Sequence, residues 1–159
     1  MGPSGSGKSV VGAVLATRLN LPFVDADDLH PPANVAKMTV GTPLDDADRM
    51  PWLDIVAAAL RNADGGVVIA CSALARRYRD RIRAGAPGVV FVELKVSRQE
   101  LARRMETREH FMPPSLLATQ LAALEPLEPD EDGVSIVNDR EPREVADDAI
   151  RRLGIARGV

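Results

Sequence analysis

Gly2-Pro3-Ser4-Gly5-Ser6-Gly7-Lys8-Ser9 meets every fixed position of the pattern G-x-x-x-x-G-K-[ST]. Glycines in such a run let the backbone curl so that successive N–H groups converge. A helix starting near Lys8 adds the partial positive charge of its N-terminus. The product is an anion cradle, in which Lys8 reaches the β- and γ-phosphates of a nucleotide as a point charge and the Ser9 hydroxyl holds Mg²⁺. At ordinary residue usage, a chance match in a chain of 159 residues has a probability on the order of 1% or less. Val10, Val11, Val14, Leu15 and Leu19 then recur at helical spacing, as the motif requires.

Upstream, the motif normally follows a buried strand, yet Met1 alone precedes Gly2. Removing about five buried apolar side chains at ~1.5–3 kcal/mol each takes away stabilisation comparable to the ~5–15 kcal/mol of a typical domain. The expectation is therefore a chain of marginal stability, with the first, central strand missing, and a longer functional form carrying an apolar segment upstream.

Downstream, four β-branched runs stand out: Leu21 to Asp25, Val67 to Cys71, Val89 to Val96 and Val134 to Val137. Each is followed by a loop and a helical pattern, so the chain reads as repeated βα units. Leu53, Val56, Ala57 and Leu60 predict a helix after Pro51, Ser97 with Glu100 a capping box, and Pro142 a helix running to Leu153. Continuous apolar runs imply strands covered on both faces, hence an α/β sandwich with a mostly parallel sheet in one domain over residues 1–159. Two stretches resist the pattern. Residues 26–50 are polar and lack a strong period, and residues 109–133 hold Pro113, Pro114, Pro126 and Pro129 around a short apolar helix, Leu116 to Leu124. Segments of that kind inside a compact domain tend to be binding loops or lids.

Composition narrows the partners. Twenty Lys and Arg against 23 Asp and Glu leave a net charge of −3, with five aromatic residues. That supplies neither the basic field nor the stacking platforms of a nucleic-acid binder. No apolar run is long enough to span a bilayer, and no basic-then-apolar leader opens the chain, which predicts a cytoplasmic protein without membrane contact. One cysteine, Cys71, can form neither an internal disulfide nor a cysteine-based zinc site.

Among nucleotide-binding classes, the chain lacks the guanine-reading N-K-x-D, and its Val67 to Cys71 strand ends in Cys71-Ser72 rather than in an acid. A small-molecule kinase needs only the cradle, a metal, an acceptor site and cations for the moving phosphoryl group. Asp25 and Asp27 close the strand from Leu21 at alternate positions, so in extended geometry both point the same way. One can hold a magnesium water while the other takes the proton of an acceptor hydroxyl. Taken alone the pair also fits solvated loop carboxylates; a strand end beside the nucleotide loop favours function.

The stretches Asp25-Ala26-Asp27-Asp28-Leu29-His30-Pro31, Asn34 through Lys37-Met38, Gly41-Thr42-Pro43-Leu44-Asp45-Asp46, Asp48-Arg49-Met50-Pro51-Trp52-Leu53, Cys71-Ser72-Ala73-Leu74 with Tyr78-Arg79-Asp80, His110-Phe111-Met112-Pro113 and Leu116-Leu117 with Gln120-Leu121 closely resemble the bacterial gluconate kinase family. The likeness runs from Gly2 to about Pro142. It implies ATP- and Mg²⁺-dependent phosphorylation of D-gluconate at its 6-hydroxyl, a three-layer P-loop kinase fold similar to nucleoside monophosphate and shikimate kinases, and a homodimer. It implies a substrate-binding insert at about 26–50 and a lid at about 104–125. Within those motifs Asp27 is the candidate base, and Arg49, Arg79, Lys37 and His30 are the candidate cations and donors for the carboxylate and polyol chain. His30 also fits a structural hydrogen-bonding role, and Trp52 reads as core. Arg104 and Arg108, four apart on one helix face, are both candidates for the lid arginine that meets the nucleotide's phosphates. The family often has a glycine before the His-Phe pair, where this chain reads Arg108-Glu109-His110-Phe111. Two other readings remain: a kinase of the same architecture for another polyol acid or shikimate, and a catalytically silent nucleotide-binding module.

Overall fold

The computed structural model describes residues 1–106 and 115–155. Helix α1 (Lys8–Leu19) opens at Gly7 and closes at Asn20, both in left-handed geometry, with the Asn20 N–H donating to the Ala16 and Thr17 carbonyls. Strand β1 (Phe23–Asp25) leads into a 3₁₀ turn (Ala26–Leu29), α2 (Pro32–Thr39) and α3 (Asp46–Arg61). Next come β2 (Val68–Ala70), α4 (Arg76–Gly85), β3 (Phe91–Lys95), α5 (Arg98–Glu106), α6 (Ser115–Ala123), β4 (Gly133–Val137) and α7 (Pro142–Leu153). All four strands stand where the hydrophobic pattern places them, as do α1 and α7, whereas α2 and α4 are not among the expected helices.

Two departures have local causes. Helix α3 begins before Pro51, at Asp46, because Asp45 and Asp48 form a reciprocal capping box upstream of the proline. Pro51 then lies inside the helix, at the cost of one backbone hydrogen bond. Residues 26–50 hold the 3₁₀ turn and α2 rather than extended loop. Asn34 is the one buried residue of α2, so this surface helix offers no apolar stripe to read.

β1 pairs with β2 from Phe23↔Val68 to Asp25↔Ala70, and β3 with β4 from Phe91↔Gly133 to Lys95↔Val137, both parallel. The two ladders are not joined into one sheet. Between β2 and β3 runs an apolar cavity of about 460 Å³, where the strand expected ahead of the glycine loop would lie. At its top the Met1 α-amino group donates to the Val92 carbonyl, the Leu94 N–H to the Met1 carbonyl (2.9 Å), and the Gly2 N–H to the Ser72 carbonyl (3.2 Å).

Helices cover both faces. On one, Val11, Leu94, Ile136, Val145 and Ala149 form a core beneath α1 and α7, continued by Leu15, Ala146 and Ile150. On the other, Trp52, Leu53 and Val56 of α3 meet Tyr78 and Ile82 of α4 over Phe91 and Cys71. Burial pushes the Cys71 thiol up to about 11. Among the described residues no helix is long and apolar enough to cross a membrane.

Candidate active site

The glycine loop spans from the Met1 rung to the first turn of α1. Gly2, Gly5 and Gly7 all take positive φ (145°, 78° and 88°). Such backbone suits glycine, and space requires it too: a Cβ at Gly7 would stand 2.6 Å from Asn138 Nδ2. Lys8 Nζ donates to the Pro3 carbonyl at 2.9 Å, so its ammonium lies across the loop it serves. The Ser4 N–H donates to Gln120 Oε1 of α6 at 2.7 Å.

Two side chains hold the loop's carbonyls from outside. Asn138, directly after β4, donates from Nδ2 to the Ser6 carbonyl at 2.7 Å. Arg104 of α5 donates to the carbonyls of Gly5 (3.4 Å) and Asn138 (3.1 Å) and to Glu100 Oε1 (2.7 Å). These bonds fix the outer carbonyls of the loop, while the Pro3 carbonyl accepts from both the Ser6 N–H and Lys8 Nζ. Arg104, expected at the nucleotide, thus touches the loop's backbone, and Arg108 lies outside the described residues. Asn138 was not singled out from sequence; its position at the C-terminal end of the last apolar strand was the available signal.

Ser9 and Asp25 are brought together as expected, the hydroxyl donating to Asp25 Oδ2 at 2.6 Å. A hydroxyl and a carboxylate make an oxygen donor pair that suits a hard cation keeping most of its water, as Mg²⁺ does. Among the described residues no cluster of three or more His, Cys, Asp or Glu offers an alternative metal site.

The alternation expected of Asp25 and Asp27 does not hold, because the chain turns into the 3₁₀ helix at Ala26. Asp25 caps that turn, its Oδ1 accepting from the Asp27 N–H at 3.1 Å. Asp27 nevertheless shares the field of the site. The crowding of the cleft, then the Asp25 charge, raise its pKa above the ordinary value, while Lys8 pulls it down. An acid in such a balance is a candidate proton acceptor.

The four remaining candidates separate. His30 stacks on Trp52 with centroids 4.1 Å apart, and its Nδ1 lies 3.3 Å from Asn34 Nδ2. Burial, then the Arg49 charge, lower its pKa, which favours the neutral ring. Trp52 is core, with Nε1 donating to the Ala26 carbonyl at 2.8 Å. Lys37 is engaged by both oxygens of Asp48, at 2.6 and 2.7 Å. Arg49 donates to Tyr78 Oη at 3.2 Å and has no carboxylate partner among the described residues.

Arg79 is not in the cleft. It is fully buried, pairs with Glu131 at 2.6 Å, and donates to the carbonyls of Ala73, Leu74, Glu125 and Pro126. Its place is that of a strut tying α4 to the segment before β4, and this corrects the expectation of a substrate cation. A sequence motif reports that an arginine is needed, and the need here is internal.

A glycine loop capping a helix at the C-terminal ends of parallel strands, with a hydroxyl–carboxylate pair and a second acid beside it, defines a P-loop phosphotransferase. The family model for shikimate kinase matches residues 4–153. The chain is 47% identical to the gluconokinase of Gluconobacter oxydans over 96% of its own length and 88% of that protein's. It is 40% identical to the thermoresistant gluconokinase of Escherichia coli, over 91% and 85% of the two lengths. A solved gluconokinase from Sinorhizobium meliloti superposes with a TM-score of 0.88 at 45% identity, covering 97% of this chain and 89% of that one. The chain belongs to the gluconokinase family, within the fold that the shikimate kinase model describes.

Proposed function

We propose that the protein transfers the γ-phosphoryl group of ATP to the 6-hydroxyl of D-gluconate, giving 6-phospho-D-gluconate and ADP. The observation that carries the reading is the glycine loop with Lys8 across it and the Ser9–Asp25 pair at 2.6 Å, next to which the Asp27 N–H bonds to Asp25 Oδ1. The loop amides and Lys8 bind the triphosphate. The Ser9 hydroxyl and Asp25, the latter through a water, would hold Mg²⁺, which would supply neutralisation of phosphate charge.

In the transfer, Asp27 accepts the proton of the 6-hydroxyl while the bond from that oxygen to the γ-phosphorus forms. The bond from phosphorus to the β,γ-bridging oxygen breaks, and its electron pair leaves on ADP. Arg49 grips the sugar carboxylate at the far end, because a planar guanidinium without a carboxylate partner among the described residues offers two parallel donors. Neutral His30 contributes hydrogen bonding to the polyol, Lys37 lies at the edge of the same insert, and Arg108 of the lid meets the moving phosphoryl group. The enzyme works in this reading as a cytoplasmic homodimer.

A coupled ADP-release assay across sugar acids and shikimate, with ATP and Mg²⁺, tests the assignment. Gluconate is expected to stimulate turnover above every related acid, and Lys8→Ala to remove about 10²-fold or more of it with the circular dichroism spectrum unchanged. Equal rates with and without gluconate would overturn it.

A further inference from the structure

Helix α2 lies on the surface, yet the residue it buries is polar: Asn34 is 4% exposed. A buried amide needs hydrogen bonds, and their direction here is informative. Asn34 Nδ2 donates to the Asp48 carbonyl at 3.0 Å and lies 3.3 Å from His30 Nδ1. A carbonyl oxygen only accepts, so the first bond settles which end of the amide is the NH₂ group. That group only donates. The second bond therefore runs from Asn34 to His30, and Nδ1 is the nitrogen without a proton. A neutral imidazole carries one N–H, which is then on Nε2.

The plane of the ring is held as well. His30 stacks on Trp52 with an interplanar angle of 15°, and Trp52 is anchored through Nε1 to the Ala26 carbonyl. The His30 N–H donates to the Asp27 carbonyl at 3.4 Å, closing the 3₁₀ turn that carries the candidate base. Asp48, whose carbonyl takes the other Asn34 hydrogen, directly precedes Arg49. One buried amide thus ties the segment after Asp27 to the backbone before Arg49. Burial, then the Arg49 charge, lower the His30 pKa, in keeping with a neutral ring. Nε2 has no hydrogen-bond partner among the described residues, which leaves its N–H for a ligand.

We propose that Asn34 is a positioning residue that fixes the His30 proton on Nε2 and so presents a donor to an acceptor oxygen of the polyol chain, a role that rests on the sugar-acid reading of the site. A donor held in this sense meets a hydroxyl or carboxylate oxygen and cannot accept from a hydroxyl hydrogen.

Long-range ¹H–¹⁵N spectra of the intact, ligand-free protein report which ring nitrogen carries the proton, and a His30→Ala spectrum tells His30 from His110. The expected result is a wild type protonated at Nε2 and bare at Nδ1. Asn34→Asp replaces the donor by an acceptor, so at about pH 9, where imidazole is neutral, the proton should move to Nδ1. In the coupled assay at that pH, Asn34→Asp should raise KM for gluconate about tenfold and leave KM for ATP unchanged. In a His30→Ala background the same substitution should cost nothing further. A proton on Nδ1 in the wild type would overturn the proposal without any variant. So would additive KM effects of the two substitutions, which would make Asn34 a support of the α3 backbone alone. A wild type that gluconate fails to stimulate would instead overturn the sugar-acid reading, and the donor role with it.

Discussion

Asp27 is held by two opposing fields. Crowding and Asp25 disfavour its charge, and Lys8 favours it. A base must be ionised to act, so the acid limb of the kcat profile should lie above the ordinary Asp value of 3.8, with rate rising as pH passes through the raised pKa. Asp27→Asn should abolish that limb and cost about 10²–10⁴ in turnover. The stability effect has the opposite sign. A carboxyl whose folded pKa is raised disfavours the fold once ionised, above that pKa, so the variant at pH 7 should melt at the same temperature or higher. Lost turnover together with a lowered Tm would instead mark Asp27 as a structural acid. Steady-state kinetics across pH and a thermal melt separate the two. The residue's presence near the loop was legible from its place after an apolar run. Its orientation was not, because the alternation of a strand stops where Asp25 caps a 3₁₀ turn.

At the scale of elements, the glycine loop takes its shape from side chains on distant parts of the fold. Asn138 after β4 and Arg104 on α5 fasten the carbonyls of Ser6, Gly5 and Asn138 itself. Asn138→Ala removes the donor to a buried carbonyl, worth roughly 1–3 kcal/mol. The expected outcome is about a tenfold rise in KM for ATP with KM for gluconate unchanged, because the loop and not the sugar site is loosened. A parallel rise in both would show that the bond supports the whole cleft. These supports were illegible in sequence because they are long-range: Ser6 and Asn138 are 132 positions apart. Elements with a strong apolar period were legible almost to their ends, α7 from Pro142 to Leu153 among them. Where capping chemistry overrode a proline, as at Asp45, the expected boundary moved.

For the molecule as a whole, Arg79 is the most consequential charge. Arg79→Ala would strip buried Glu131 of its two-point partner and leave it Arg83, the Glu128 N–H and a longer 3.9 Å pairing with Arg76. Breaking such a pair costs about 3–5 kcal/mol, and urea unfolding at pH 7 should register it. Hydrogen bonding from Arg79 holds the Glu131 carboxyl at about 2, against an ordinary 4.5. Its stabilisation is therefore complete above about 4.5 and lost as pH falls towards 2. The variant should lack that part of the wild-type acid transition, and an identical acid profile would sink the assignment. Layered architecture and the nucleotide loop were readable because both rest on local pattern; Arg79 was misplaced because burial of a charge leaves no local trace. The lone thiol, buried among α3, α4 and Phe91 where it borders the apolar cavity, has a further consequence. Burial pushes its pKa up to about 11, so very little of it is thiolate at pH 7. Peroxide and alkylating drugs will find almost nothing to attack, and stored preparations should not accumulate cross-linked species.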